Sequence, residues 1–115
     1  MQRKATKQSR SANSDEKAFQ GWLKDQYCCI TGIYGVDVHH CAGSTFKHNK
    51  VLIGHWFCLP LAPAVHHEYH SGTKAFKLRY GSQAENWAVI ADKYEKDQGV
   101  TIPFEVRNAI MTCGK

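Results

Sequence analysis

A small single domain of the α+β class is what this sequence predicts, on three observations. Apolar residues recur at helical spacing near the N-terminus and again through the C-terminal part. Between those segments lie two short stretches of strand character, residues 36–39 (VDVH) and 55–59 (HWFCL). Finally, all seven histidines, His39, His40, His48, His55, His66, His67 and His70, fall within VDVHHCAGSTFKHNKVLIGHWFCLPLAPAVHHEYH, residues 36–70, and the flanks hold none. Imidazole is the commonest transition-metal ligand and the side chain best suited to proton transfer near neutral pH. A metal-centred site is therefore the first functional expectation.

A chain of 115 residues supports one modest core and not two independent ones. The formal charge of +5 favours a polyanionic partner, nucleic acid first among them. There is no run of 18 or more apolar residues, and the basic N-terminus lacks the apolar stretch of a signal peptide, so no membrane contact is expected and the location is expected to be cytoplasmic. Cys28, Cys29, Cys41, Cys58 and Cys113 are odd in number and contain no Cys-x-x-Cys, which suggests free thiols.

Taken in order, residues 1–12 (MQRKATKQSRSA) carry Arg3, Lys4, Lys7 and Arg10 against no acid and read as a flexible basic arm. Its functional reading is a DNA-binding tether to phosphate, and its plain reading is a solvated tail. The domain then runs over residues 13–115. Asn13 or Ser14, followed by Asp15 and Glu16, starts a helix that carries Phe19, Trp22 and Leu23 on one face to about Gln26. Aromatic residues at that spacing are core, so this helix is assigned no chemistry. Residues 27–35 (YCCITGIYG) lead into the first strand. A regular strand sends His39 and His40 to opposite faces. If both serve one site, the pleat must break, and residues 41–44 (CAGS) are a plausible place. Residues 45–54 form a loop with slight strand character on which His48 is expected to be exposed and idle. The second strand, at residues 55–59, is expected to end at Pro60.

From Ala62 to His70 the helical spacing returns, with Pro63 tolerated in the first turn. His66 and His70 stand one turn apart on one face and can reach one metal. His67 is rotated by about 100° from His66 but lies three residues before His70, so either can be the partner; the i, i+4 pair is the choice. Thr73 to Tyr80 is an amphipathic helix made basic by Lys74, Lys77 and Arg79, suited to following a phosphate backbone or to being a solvated face. Gly81 stops it. Ser82-Gln83-Ala84-Glu85 is a capping box for a core helix with the stripe Ala84, Trp87, Ala88, Ala91 and Tyr94, reaching about Lys96. Gly99 breaks that helix, and Pro103 opens a last one through Cys113.

Two strands and a helix, with a His pair closing the first strand, one polar residue opening the second, and histidines on the helix, resemble the ββα-metal (HNH) finger of phage endonucleases. Within them the chain looks like the recombination-enhancement (Ref) type, whose nuclease action depends on RecA filaments. The likeness covers residues 13 to about 90 and is carried by SDEKAFQGWLKDQYCCITG, VDVHHCAG, GHWFCLPLAPAVHHEYHSG and KAFKLRYGSQAENW. It implies a fold built round a finger over residues 27–70, with a helical part at 73–113. It also implies a metal-dependent DNA endonuclease of phage or prophage origin, active in recombination or repair. In this resemblance His39 is a metal ligand, His40 the general base, and His66 and His70 the helix ligands, with His67 as the alternative. His55 occupies the central place, often Asn or Asp, that orients the base. Thr31, Ala62 and Val65 stand where many relatives have zinc-binding cysteines, which leaves Cys28 alone and implies that apolar packing replaces a structural zinc.

The chemistry fits these residue types. Phosphodiester hydrolysis needs a base that is neutral near pH 7 and positioned on a water, and His40 suits it. One divalent ion on His39, His66 and His70 would take up charge as the bond breaks. Imidazole-rich ligation favours zinc, nickel or manganese in a binding assay, while magnesium or manganese can serve in function because substrate phosphate completes the shell. DNA is the expected substrate and a RecA filament a candidate partner. The competing expectation is a catalytically inactive DNA- or RecA-filament-binding module on a decayed finger, for which His55 in place of an amide or acid is the argument.

Overall fold

The computed structural model describes residues 12–41, 47, 48 and 50–113. The basic arm, with Arg3, Lys4, Lys7 and Arg10, lies outside the described residues, except for Ala12. The described part is a small α+β domain with five helices and two two-stranded sheets.

Helix α1 (Ser14–Lys24) starts at Asn13, whose side chain accepts from the Glu16 N–H at 2.8 Å while the Glu16 carboxylate accepts from the Asn13 N–H at 2.9 Å. This reciprocal cap satisfies two donors that a helix start leaves unpaired. Phe19 and Leu23 are fully buried, and Trp22 packs beside them against Tyr94. Tyr27 and Tyr34 then meet in a single antiparallel bridge. Inside the loop they close, the Ile30 and Thr31 N–H groups donate to the Cys28 sulfur, both at 3.4 Å. Ala62 and Val65, at the start of the helix that opens at Pro63, are buried.

Strand β1 (Asp37–His40) pairs antiparallel with β4 (Cys58–Leu61), His39 opposite Leu59 and His40 opposite Cys58. The pairing continues through His40, so the pleat does not break at the histidine pair. The second strand departs from expectation. Residues 54–56 form a 3-10 turn, Gly54–Trp56, the strand begins only at Cys58, and Pro60 lies inside it. The Pro60 carbonyl accepts from the Cys29 N–H at 3.0 Å, facing away from β1. In an antiparallel ladder the N–H and C=O of one residue point the same way, so the donor that proline lacks is not one β1 would use. Gly54 has φ +63°, a backbone conformation that side chains disfavour, and this is what turns the chain sharply before His55. Where slight strand character was expected, β2 (Lys47–His48) pairs antiparallel with β3 (Val51–Leu52).

Helix α2 (Pro63–Ser71) begins with Pro63 in its first turn, and α3 (Thr73–Tyr80) ends at Gly81 with φ +89°. Helix α4 (Gln83–Gln98) opens with the Ser82–Glu85 capping box and closes on left-handed Gly99. Its buried face is Ala84, Trp87, Ile90, Ala91 and Tyr94; Ile90 joins the predicted stripe in place of Ala88. Helix α5 (Phe104–Cys113) adds Val106, Ala109 and Ile110 to the core. The Trp87 indole N–H donates to the Trp56 carbonyl at 2.8 Å, which ties α4 to the turn that carries His55. Among the described residues no helix is long and apolar enough to cross a membrane.

Candidate metal centre and its surroundings

Alternation along β1 decides where the histidine pair goes. His39 points inward and is 2% exposed, whereas His40 is exposed on the other side. On the inner side, α2 presents His66 and His70 from successive turns. The ring centroids of His39 lie 4.9 Å from His66 and 5.8 Å from His70, and those of His66 and His70 lie 4.8 Å apart. One nitrogen from each of the three falls within 4.8 Å of the others, a convergence of donors that could hold a metal ion. His67 faces solvent away from this group, its carbonyl accepting from the Ser71 hydroxyl at 3.0 Å.

The donor set suits a borderline cation. Burial lowers the His39 pKa below the ordinary imidazole value, with His66, His70 and His40 adding in the same direction against a hydrogen bond donated to Gln83. A neutral ring keeps a lone pair for a metal. Tetrahedral nitrogen ligands at about 2.0–2.1 Å from zinc sit roughly 3.4 Å apart, so these three nitrogens would have to draw together by side-chain rotation to share one ion.

Two further residues touch the triad from outside. Gln83, the first residue of α4, meets His39 Nε2 through its Oε1 at 2.7 Å. Asp37, two residues before His39 on β1, meets His66 Nδ1 at 3.3 Å, with about half of its side chain exposed. Neither was expected from the sequence. Tyr69 stacks edge-on against His39 and closes that side of the pocket with Phe76.

On the outer side of β1, His40 Nε2 lies 3.3 Å from His55 Nδ1 and 3.2 Å from the Gln20 amide nitrogen. Burial and the neighbouring His55 lower the His40 pKa. The His55 backbone N–H donates to Glu16 Oε2 at 2.9 Å, while the other oxygen of the same carboxylate caps α1. Glu16 is 1% exposed. Helix α1, assigned no chemistry from its apolar spacing, thus supplies Gln20 to His40 and Glu16 to His55. Glu16 lies on the buried face with Phe19 and Leu23, and Gln20 lies between members of the apolar stripe, so the spacing that marks the core shows neither contact.

His48 is neither exposed nor part of either cluster: its Nε2 is buried with no hydrogen-bond partner among the described residues. Lys74 and Lys77 are exposed on α3, where they line an open groove with Leu78, Gly81, Ser82 and Glu85. Arg79 is held by Glu68 at 3.1 Å, with the Tyr80 hydroxyl donating to the same carboxylate. Cys28, Cys29, Cys41 and Cys58 are free thiols. Burial raises Cys29 and Cys58 to about 12. Cys28 is also pushed up by burial, but hydrogen bonds from the Ala62 N–H, the Thr31 side chain, and the Thr31 and Ile30 N–H groups together leave it below the ordinary value.

No solved structure matches the chain. The uncharacterized protein YdfU of Escherichia coli (strain K12) is 34% identical over 70 residues, a match covering 61% of this chain and 20% of that protein. The chain therefore corresponds to only a small part of that relative's length. Residues 4–95 match the family described as "Protein of unknown function (DUF968)". That span takes in α1, both adjacent histidine pairs and the Gln83 end of α4, and the chain belongs to the DUF968 family.

Proposed function

We propose that the domain is a metal-dependent DNA endonuclease built on a ββα-metal (HNH) finger formed by β1, β4 and α2. The observation that carries this reading is the convergence of His39, His66 and His70 within 4.8 Å, beside a second, non-ligating histidine one residue along the strand. His39, His66 and His70 would hold a divalent cation, magnesium or manganese in function and zinc or nickel in a binding assay, which would supply Lewis-acid stabilisation of the charge that develops in phosphodiester hydrolysis. His40 is the general base. The Gln20 amide nitrogen can only donate, so His40 Nε2 accepts from it and is the basic nitrogen, beside His55 Nδ1, and a lowered pKa keeps the ring neutral near neutral pH. His55 orients the base, and Glu16 holds the His55 backbone. Lys74 and Lys77, with the basic arm, supply attraction to phosphate independent of sequence.

Phage DNA recombination or repair is the proposed setting, with RecA-coated DNA as the candidate substrate form. A second reading follows from the crowding of His40 Nε2 by both Gln20 and His55: a DNA- or RecA-filament-binding module that does not cut. Plasmid nicking with manganese or magnesium, with and without RecA filaments, separates the two when wild type is compared with His40→Ala. The nuclease reading expects metal-dependent cutting that the variant loses while it retains DNA. If neither protein cuts under any condition and both retard DNA equally, the binding module replaces it.

A further inference from the structure

We propose that Gln83 is a positioning residue for His39, fixing which ring nitrogen carries the proton and so which one faces a cation. This rests on the reading of His39, His66 and His70 as a metal site. Three observations carry it. The contact is short, 2.7 Å from Gln83 Oε1 to His39 Nε2, and bridges 44 positions of sequence. The His39 ring is 2% exposed, so water does not compete for that nitrogen. Lastly, the Gln83 backbone is anchored. Its neighbours Ser82 and Glu85 form the reciprocal cap of α4, with the Ser82 N–H donating to Glu85 at 2.9 Å and the Glu85 N–H to Ser82 at 3.1 Å.

An amide oxygen is an acceptor without a proton to give, so the His39 nitrogen facing it must be the protonated one. A neutral imidazole carries one proton, and Nδ1 is left with the lone pair. In metal sites a ligating histidine commonly gives its second N–H to an oxygen of this kind, and loss of that partner costs 10–100-fold in metal affinity. Asp37 stands in the equivalent relation to His66, but at 3.3 Å and about half exposed, where water can replace it. Gln83 is the partner that solvent does not replace.

The test combines metal titration with direct observation of the ring. Calorimetric titration of zinc and nickel chloride into wild type, Gln83→Leu and Gln83→Glu is expected to show a roughly 10–100-fold loss in Gln83→Leu. Gln83→Glu, whose carboxylate still accepts the Nε2 proton, is expected to recover wild-type affinity. Without metal, long-range nitrogen–proton NMR correlations should report His39 as the Nε2–H tautomer in wild type and Gln83→Glu, and as a mixture in Gln83→Leu. Equal affinities together with an unchanged His39 tautomer in Gln83→Leu would overturn the proposal. Should wild type bind neither metal, or His66→Ala bind as well as wild type, the metal reading falls. The tautomer comparison then still decides whether Gln83 sets the His39 proton.

Discussion

His39 and His40 are consecutive residues of one strand, yet they occupy opposite chemical settings. His39 is enclosed, meets two other imidazoles from α2, and has an amide oxygen on its Nε2. His40 is exposed, and its partners are a second histidine and an amide nitrogen. Burial lowers the pKa of both, but the surroundings allow different work. An enclosed neutral imidazole with two like neighbours suits a cation, whereas an open one suits exchange of a proton with solvent or substrate. The two-residue period of a β-strand is enough to give adjacent histidines these two settings.

The sharpest way to break this comparison is to remove one side at a time. In the proposed nuclease, His40→Ala should lower nicking by roughly 10²–10⁴-fold and leave zinc affinity unchanged. His66→Ala should lower both. Parallel calorimetry and plasmid assays on the two variants check this, and a His40→Ala protein that also fails to bind metal would erase the division of labour.

The Trp87 indole donates to the Trp56 carbonyl and so ties the turn that carries His55 to α4, the helix that carries Gln83. Trp87→Phe keeps a ring in the core but leaves that buried carbonyl without its donor, at a cost of about 1–3 kcal/mol. Urea melts of the two proteins measure the loss. A change below a few tenths of a kcal/mol would mean that the carbonyl finds another partner.

Acidity should distinguish the enclosed side next. His39 and His40 have folded pKa values below the ordinary 6.5, so the unfolded chain binds protons that the folded one refuses. Stability contributed by each is complete above about pH 6.5 and declines as pH falls towards the lowered folded value. Metal-free protein should therefore melt at progressively lower temperature from about pH 7 to pH 5. Because His39 is the more enclosed, His39→Gln should flatten this slope more than His40→Gln. Melting curves across that range in EDTA would contradict the assignment if stability rose on acidification.

How much of this was legible in the sequence depends on the range of the interaction. The Ser82–Glu85 cap, Pro63 in the first turn of α2, and Gly99 at the end of α4 were readable because each acts within a few residues. The clustering of His39, His66 and His70 was readable as a candidate because period two and period 3.6 each place residues on a face. Pro60 misled, since a proline is compatible with a strand whose outward side it occupies, and sequence does not say which side that is. Gln83, Gln20, Glu16 and Asp37 carried no local mark of their roles. Glu16 is legible as an acid in the first turn of α1, but one of its oxygens finds the His55 N–H 39 positions away, which only the packing of α1 against the sheet arranges. Gln83 is likewise an ordinary first-turn residue until α4 lies beside β1.

The smallest expected effect is also the most discriminating test of helical phase. His66 and His67 are chemically identical, and each has a spacing to His70 that one helix face can accommodate. In the folded chain His66 turns toward His39 and Asp37, while His67 faces solvent. His67→Ala should therefore leave zinc affinity unchanged and stability within about 0.5 kcal/mol, the range of ordinary surface substitutions. The same change at His66 removes one of three converging donors. A His67→Ala protein with metal affinity reduced as far as that of His66→Ala would mean that α2 sits about 100° from the phase described. The inner cluster would then have to be rebuilt around His67, and the Asp37 contact to His66 would lose its place in the site.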